Sequence, residues 1–530
     1  GDEDEFVEVV ASHLLEAYQA APDAPDAGEI KARARETIAR AGERAASLAA
    51  NEEAERYFVQ AADLAEDRIE MASLIERAGG MAWMGARTEE ATDLLERAIA
   101  LYEEQGETHA AARVSARLGE ITWSSGRIGE AIERMERSFE VLSRDEADED
   151  LASLAAQLGR FLYFEGHEAR AAERLERALE LAERLGLPEV LSQALNSKGG
   201  LIFMGSKGRP QEGFALLRHA LDVALKNDAS EAALRAYYNL SNLLYYIDRY
   251  EESASYANDG LAHSRRLGAR MWEWNFISEL VYLAFMTGDW EGALDQAAGV
   301  PRLEESSATR FAAGELVQSI PLILVEQGRV REASELLDSY APFERSADVQ
   351  ERVAYMAAKA VVLRAQGRLD EALAAGLEAL AGRSSLGAVY PGVKVGFVTA
   401  TEAALSLGDI ARVENLLALP AALGAGERTP YWRGQASRLE ARFGAARGES
   451  DAVEPSFAAA ERPFREIGVP FWLGVTLTEH GEWLREEGRA EEGGPLLDEA
   501  REVFDRLGAA RWRDRVDRAA GATAVASSGT

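Results

Sequence analysis

Six histidines are the first place to look for chemistry: His13, His109, His167, His219, His263 and His480. Acid–base catalysis or metal binding needs several such groups to converge, and these are scattered along the chain. His167-Glu168 lacks the second histidine of a helical zinc motif. His219 and His263 fall on neighbouring repeats but about one helical turn out of register. Cysteine is absent, so there is no disulfide or thiolate, and a zinc site would need histidine and carboxylates alone. Gly205-Ser206-Lys207-Gly208 resembles a piece of a phosphate-binding loop, but a helical pattern runs into it where such a loop needs a strand. It is read as a widened turn between helices. No Gly-x-Ser-x-Gly elbow or dinucleotide fingerprint stands out. Carboxylates abound, but abundance does not place two of them together. The expectation is a non-enzyme with no catalytic residues, no metal and no cofactor.

The elements that must position any site follow from a recurring phrase, Gly-Arg-apolar-x-Glu-Ala. It occurs as Gly126-Arg127-Ile128-Gly129-Glu130-Ala131, Gly328-Arg329-Val330-Arg331-Glu332-Ala333 and Gly367-Arg368-Leu369-Asp370-Glu371-Ala372. Its first position falls at Ala86, Gly126, Gly166, Gly208, Asp248, Gly288, Gly328, Gly367, Gly408, Gly448 and Gly488, at intervals of 39 to 42 residues. A weaker copy is Ala49-Ala50-Asn51-Glu52-Glu53-Ala54. Each marker lies between two segments with apolar residues three and four apart, the signature of amphipathic helices. Glycine at the marker permits the left-handed backbone that ends a helix, and Asp248 tolerates it better than most residues. Five residues later a small side chain recurs (Ala91, Ala131, Ala171, Gly213, Ser253, Ala293, Ala333, Ala372), letting two helices approach closely. A period of this length means stacked helical hairpins, an all-α solenoid.

The 530 residues exceed an ordinary single core, a limit that stacked repeats escape. The formal charge of -33 disfavours nucleic acid and anionic membranes as direct partners. No apolar run approaches the roughly 20 residues that cross a bilayer. The opening Gly1-Asp2-Glu3-Asp4-Glu5 matches no signal or transit peptide. The chain reads as cytoplasmic and as a piece of something longer. Its expected parts are a helical lead-in at 1–45, a first arc at 46–300, a second arc at 301–515 and a disordered tail at 516–530, with looser stretches near 302–311 and 381–391.

The hairpins resemble tetratricopeptide repeats in a longer, 40-residue form. Leu118-Gly119 and Leu158-Gly159 match that motif's Leu-Gly pair, and Ala131 and Ala171 match its central alanine. The match weakens at Leu280-Val281 and Ile320-Pro321, and the motif's terminal proline is mostly missing. The resemblance implies a right-handed superhelical solenoid of about 11–12 hairpins, the count following the markers above. A narrower resemblance covers the start: His13-Leu14-Leu15-Glu16-Ala17-Tyr18, Ala41-Gly42-Glu43-Arg44-Ala45 and Asn51-Glu52-Glu53-Ala54-Glu55-Arg56-Tyr57-Phe58 are similar to the junction between a signal-transduction ATPase and its repeat array in large bacterial signalling proteins. A class III adenylate or guanylate cyclase precedes the ATPase in many of these. Others resemble the maltose-operon activator, whose array precedes a DNA-binding domain. The phosphate loop, the cyclase metal carboxylates and the DNA-binding domain are not found in the sequence.

In tetratricopeptide arrays the first helix of each hairpin lines the concave face. The resemblance carries this onto Arg235, Tyr238, Asn242 and Tyr245, then Asn275, Ser278, Tyr282 and Phe285, and Gln318, with a secondary patch at Glu120, Trp123, Arg160 and Tyr163. Tyrosines stack on flat ligands, amides fix orientation, and Arg235 offers a fork to a carboxylate or phosphate. Two readings stand side by side: a shift of one residue in helical phase turns these side chains from ligand contacts into core. The expected partners are a peptide, protein domain or small effector in the groove and an upstream ATPase or cyclase in cis. The alternative is the ligand-binding and oligomerisation region of a maltose-activator-like transcription regulator.

Overall fold

Glu149–Phe164 and Glu168–Leu185 show how one repeat is built. The Asp148 carboxylate caps the first helix by accepting from the Leu151 N–H at 3.0 Å, satisfying a donor that the first turn leaves free. Gly166, at φ 78°, ends it. Ala171 is fully buried in the second helix. A Cβ on Gly159 would lie 2.7 Å from Leu175, so glycine permits the close approach of the two helices. Every small residue expected five positions after a marker is buried, from Ala91 to Ala372.

The computed structural model describes residues 6–48, 50–85, 87–124, 127–204, 209–302, 310–346 and 348–526. The markers Ala86, Gly126 and Gly208, and with Gly208 the Gly205-to-Gly208 fragment, lie outside them. Among the described residues the chain is helical, with no strand. Hairpins repeat every 40 residues or so, as the markers require. The expected left-handed backbone is present at Gly288 (φ 93°) and at Asp248 (φ 67°).

The chain divides into two compact units, Gly1–Ser197 and Lys198–Thr530. The boundary falls within the helix Pro188–Met204, and the arc join expected near residue 300 lies inside the second unit. In the first unit the lead-in comprises the helices Val7–Ala20 and Ala27–Ser47. Its core is rich in alanine, with Ile38, Phe58, Ile75, Leu95 and Leu118 as larger members.

In the second unit the repeat is less regular. Where a single first helix is expected there are two short ones, Arg310–Leu316 and Ile320–Glu326. Pro321 accounts for the break, because it lacks the N–H that would bond back to Val317 and its ring crowds the preceding turn. The second helices Trp290–Ala297 and Ile410–Leu417 are only eight residues long. The stretch expected to be loose at 381–391 holds the four-residue helix Arg383–Leu386. The final helix is Ala510–Ala526, which runs through most of the expected tail. Among the described residues no helix is long and apolar enough to cross a membrane.

Candidate functional site

The second unit's inner helices carry polar residues inside otherwise apolar runs. They are Ser230–Tyr246, Arg270–Thr287, the pair Arg310–Leu316 and Ile320–Glu326, Val349–Ala365, Pro391–Leu407, Pro430–Arg447 and Pro470–Glu486. Early and late repeats of the unit meet. Trp290 lies 5.3 Å from Phe471, ring to ring, and Tyr246 lies 5.7 Å from Tyr390. The Trp512 indole donates to Glu326 at 2.9 Å, across 186 residues of sequence.

Asp248 is the hub of this closure. Its carboxylate accepts from Lys394 Nζ at 2.6 Å and from the backbone N–H of Tyr431 at 2.6 Å, 146 and 183 residues away. Lys394 Nζ also donates to the Tyr246 carbonyl at 2.8 Å. Burial pulls the ammonium of Lys394 below its usual range, and Asp248 opposes that pull. The aspartate at this marker therefore has a role: its carboxylate joins Lys394 and Tyr431.

A second charged group lies nearby. Arg438 is fully buried. It donates to Glu402 at 2.7 Å, to both oxygens of Glu479 at 3.1 and 3.0 Å, and to Gln435 at 3.0 Å. Arg364 reaches the other oxygen of Glu402 at 2.7 Å. Burial alone would raise the Glu402 carboxyl, but Arg364, Arg438 and Arg442 overcome it and hold the group at about 2. Arg438 also lies 5.2 Å over the Trp472 ring, a cation–π contact. Between these groups is a cavity of about 30 Å³ lined by Tyr282, Phe285, Lys394, Glu402, Tyr431 and Trp472, roughly the room of one water molecule. A wider, open cleft of about 620 Å³ lies between Tyr250, Asn258, Thr287 and Asp289 on one side and Arg465 on the other.

The residues expected to line a groove converge, but in a buried cluster. Tyr238, Asn242, Tyr245, Asn275, Ser278, Tyr282, Phe285 and Gln318 are all buried. The Tyr245 hydroxyl is 2.9 Å from Asn242 Oδ1 and 3.1 Å from Glu315 Oε2. The Asn242 amide donates to Glu279 Oε1. Gln318 Nε2 donates to the Gly314 carbonyl and to Glu315, each at 3.3 Å. Tyr245 and Tyr282 lie 4.9 Å apart. Ser278 turns back to the Trp274 carbonyl at 2.6 Å, and Phe285 stacks on Trp290. Arg235 is half-buried beside Glu231, one helical turn away at 4.0 Å.

In the first unit the secondary patch also assembles. Arg160 approaches Glu120 at 3.8 Å. Trp123 stacks on Phe161 at 4.6 Å, with Phe164 and Tyr163 alongside. His109 sits among carboxylates, 3.1 Å from Asp145 and 2.9 Å from Asp148, and Asp150 lies close enough to complete a metal-sized triad. Both ring nitrogens already meet carboxylates, and Arg113 pairs with Asp150 at 3.5 Å.

From sequence, Asp248 stands out only as a turn marker, and Glu279, Glu315, Lys394, Glu402 and Arg438 do not stand out as site residues. Glu279 and Glu402 did leave a signal: each is the lone charge in a run such as Ile277-Ser278-Glu279-Leu280-Val281 or Thr399-Ala400-Thr401-Glu402-Ala403. A carboxylate in such a run must find a partner, because burying it alone is costly.

Stacked helical hairpins with a 40-residue period decide the fold. It is a tetratricopeptide-like α-solenoid. No protein-family model matches the chain, and no curated protein sequence matches it. Among solved structures it is similar to the Cut9–Hcn1 hetero-tetramer of the APC/C, at 13% identity over 92% of this chain and 94% of that one, with a TM-score of 0.49. A Rap protein complexed with competence and sporulation factor matches at 12% over 71% and 98%, TM-score 0.42. A signal transduction ATPase with numerous domains (STAND) and a tetratricopeptide repeat sensor, from Pyrococcus horikoshii, matches at 14% over 75% and 52%, TM-score 0.41. Likenesses of this degree carry nothing about ligand or activity.

Proposed function

We propose that this chain is a non-catalytic sensor or scaffold module whose second unit takes a peptide, protein segment or small effector on its inner helices. One observation carries the reading. Tyr238, Asn242, Tyr245, Tyr282 and Gln318, from three successive repeats, form a single polar cluster, and the same unit is held closed by Asp248 on Lys394 and Tyr431. Ligand capture then couples to closure: a ligand that binds one state better than the other shifts the balance between them. Regulation of an attached ATPase or nucleotide cyclase in a cytoplasmic signalling protein is the role that suits such a module, and the junction-like opening of the sequence favours it.

The test is a thermal-shift screen of the full chain against nucleotides, sugars and short peptides. Hits are repeated on Tyr245→Phe, which keeps the buried ring and removes only the hydroxyl. A stabilising ligand whose effect is lost in this variant supports the reading. A ligand that stabilises both forms equally would place its site elsewhere and contradict it.

A further inference from the structure

Among the described residues, five of the seven buried carboxylates have a basic partner. Glu76 meets Arg113, Asp248 meets Lys394, Glu326 approaches Arg364, and Glu402 and Glu479 share Arg438. Glu279 and Glu315 are buried as deeply, yet among the described residues no ion pair reaches either. They face one cluster, Glu279 through the Asn242 amide and Glu315 through the Tyr245 hydroxyl and Gln318 Nε2.

Two further buried atoms, on residues one helical turn from the two carboxylates, lack a donor. Asn275 Oδ1 and Gln318 Oε1 are buried without a hydrogen-bond partner, and both side chains are more than nine-tenths buried. Asn275 lies one turn before Glu279 on the same helix face, and Gln318 one turn after Glu315. A buried acceptor left unpaired is destabilising, a cost that a ligand with several N–H groups removes. The rings of Tyr238, Tyr245 and Tyr282 supply π faces that attract a cation. Phe311, 54% exposed, lies 5.4 Å from Tyr238 at the edge of the cluster.

We propose that the Glu279–Glu315 cluster binds the ammonium or guanidinium head of a basic ligand, either a small amine or a Lys or Arg side chain of a peptide. This names the ligand class for the site proposed above and rests on that reading. The cation's N–H groups donate to the two carboxylates and to the free oxygens of Asn275 and Gln318. It is the reverse of the anion expected opposite Arg235, which is engaged within its own helix.

Burial pushes the Glu315 carboxyl up to about 7, against the Tyr245 hydrogen bond. Burial first, then Glu315, push Glu279 well above the usual range. The groups facing the pair are Tyr238 and Tyr245 from Ser230–Tyr246, Tyr282 from Arg270–Thr287, and Tyr390 at the start of Pro391–Leu407. On the neighbouring helix Val349–Ala365, Glu351, Arg352, Lys359 and Arg364 are engaged with Arg310, Ser346, Glu344 and Glu402. Binding a cation therefore displaces a proton, and affinity rises with pH through the neutral range.

Calorimetric titration of the full chain with putrescine, acetyl-Gly-Lys-Gly-amide and acetyl-Gly-Arg-Gly-amide tests this. At least one probe should bind about tenfold more tightly near pH 8 than near pH 6, with proton release. Binding should weaken at least tenfold (~) in Glu315→Gln, since hydrogen bonds to charged groups are the stronger class. Glu279→Gln is the second variant, and melting curves confirm that each is folded. Putrescine binding alone marks a free amine, and tripeptide binding marks a side chain of a partner. No heat from any probe near pH 8, or binding undiminished in both variants, overturns the proposal. A neutral or anionic ligand lost in Tyr245→Phe would sink the cation while leaving the broader reading intact.

Discussion

Glu315 gives the protein a pH dependence that can be measured without any ligand. Its carboxyl is raised from 4.5 to about 7 by burial, so the native state keeps a proton that the unfolded chain releases. Stability therefore falls as pH rises through this window, by about 3 kcal/mol in all, and is level above it. Glu279 acts in the same direction. Glu315→Gln should flatten the fall in a denaturant titration repeated from about pH 5 to about pH 8. An unchanged slope would mean that the carboxyl is hydrated in solution. Glu402 behaves oppositely: held at about 2 by three arginines, it stabilises above the unfolded value, and that stability is lost as pH falls from 4.5 toward 2. Glu402→Gln leaves Arg438 buried beside a weakened partner and should cost about 3–5 kcal/mol at neutral pH. These residues were hard to read from sequence. Their types were visible, but their partners come from helices dozens of residues away, and helical phase decides whether Tyr245 faces a groove or a core. In the structure Tyr238 and Tyr245 lie in a buried cluster on the inner helices.

Among the elements, the turns were the most legible. Glycine at Gly166, Gly288 and Gly488 adopts the left-handed backbone that the repeat phrase implies, because the requirement is local. What sits across from a turn was not legible. A Cβ on Gly448 would meet open space, whereas one on Gly288 would lie 2.6 Å from Pro470 and 3.0 Å from Leu507. Gly448→Ala should cost about 1–2 kcal/mol from backbone strain. Gly288→Ala should cost clearly more, because the closure of the unit is disturbed as well, and equal melting temperatures for the two would argue that the far repeats are not in contact. Asp248→Gly restores the repeat's own residue and relieves the strained turn, yet strands Lys394. The second effect should win, with a net loss of about 2–4 kcal/mol. Adding Lys394→Met should recover most of it, and a double-mutant cycle measures the coupling. The broken inner helix at Pro321 was visible as a departure from the motif, whereas the shortening of Trp290–Ala297 follows no signal that we can name.

At the scale of the whole molecule the solenoid class was legible from the markers alone, since a 40-residue period leaves few alternatives. The division at Ser197 was not, because the repeat spacing runs through it unbroken. Nor was the closure of the second unit, which rests on one exceptional residue, Asp248, and on aromatic contacts such as Trp290 with Phe471. Asp248 holds the second unit shut over its inner helices. Hydrogen exchange of the full chain, wild type against Asp248→Gly, tests that claim most directly. If Asp248 holds the unit shut, uptake should rise together in Ser230–Tyr246, Pro391–Leu407 and Pro430–Arg447, segments far apart in sequence. A rise confined to the turn around residues 246–250, or no change, would contradict it.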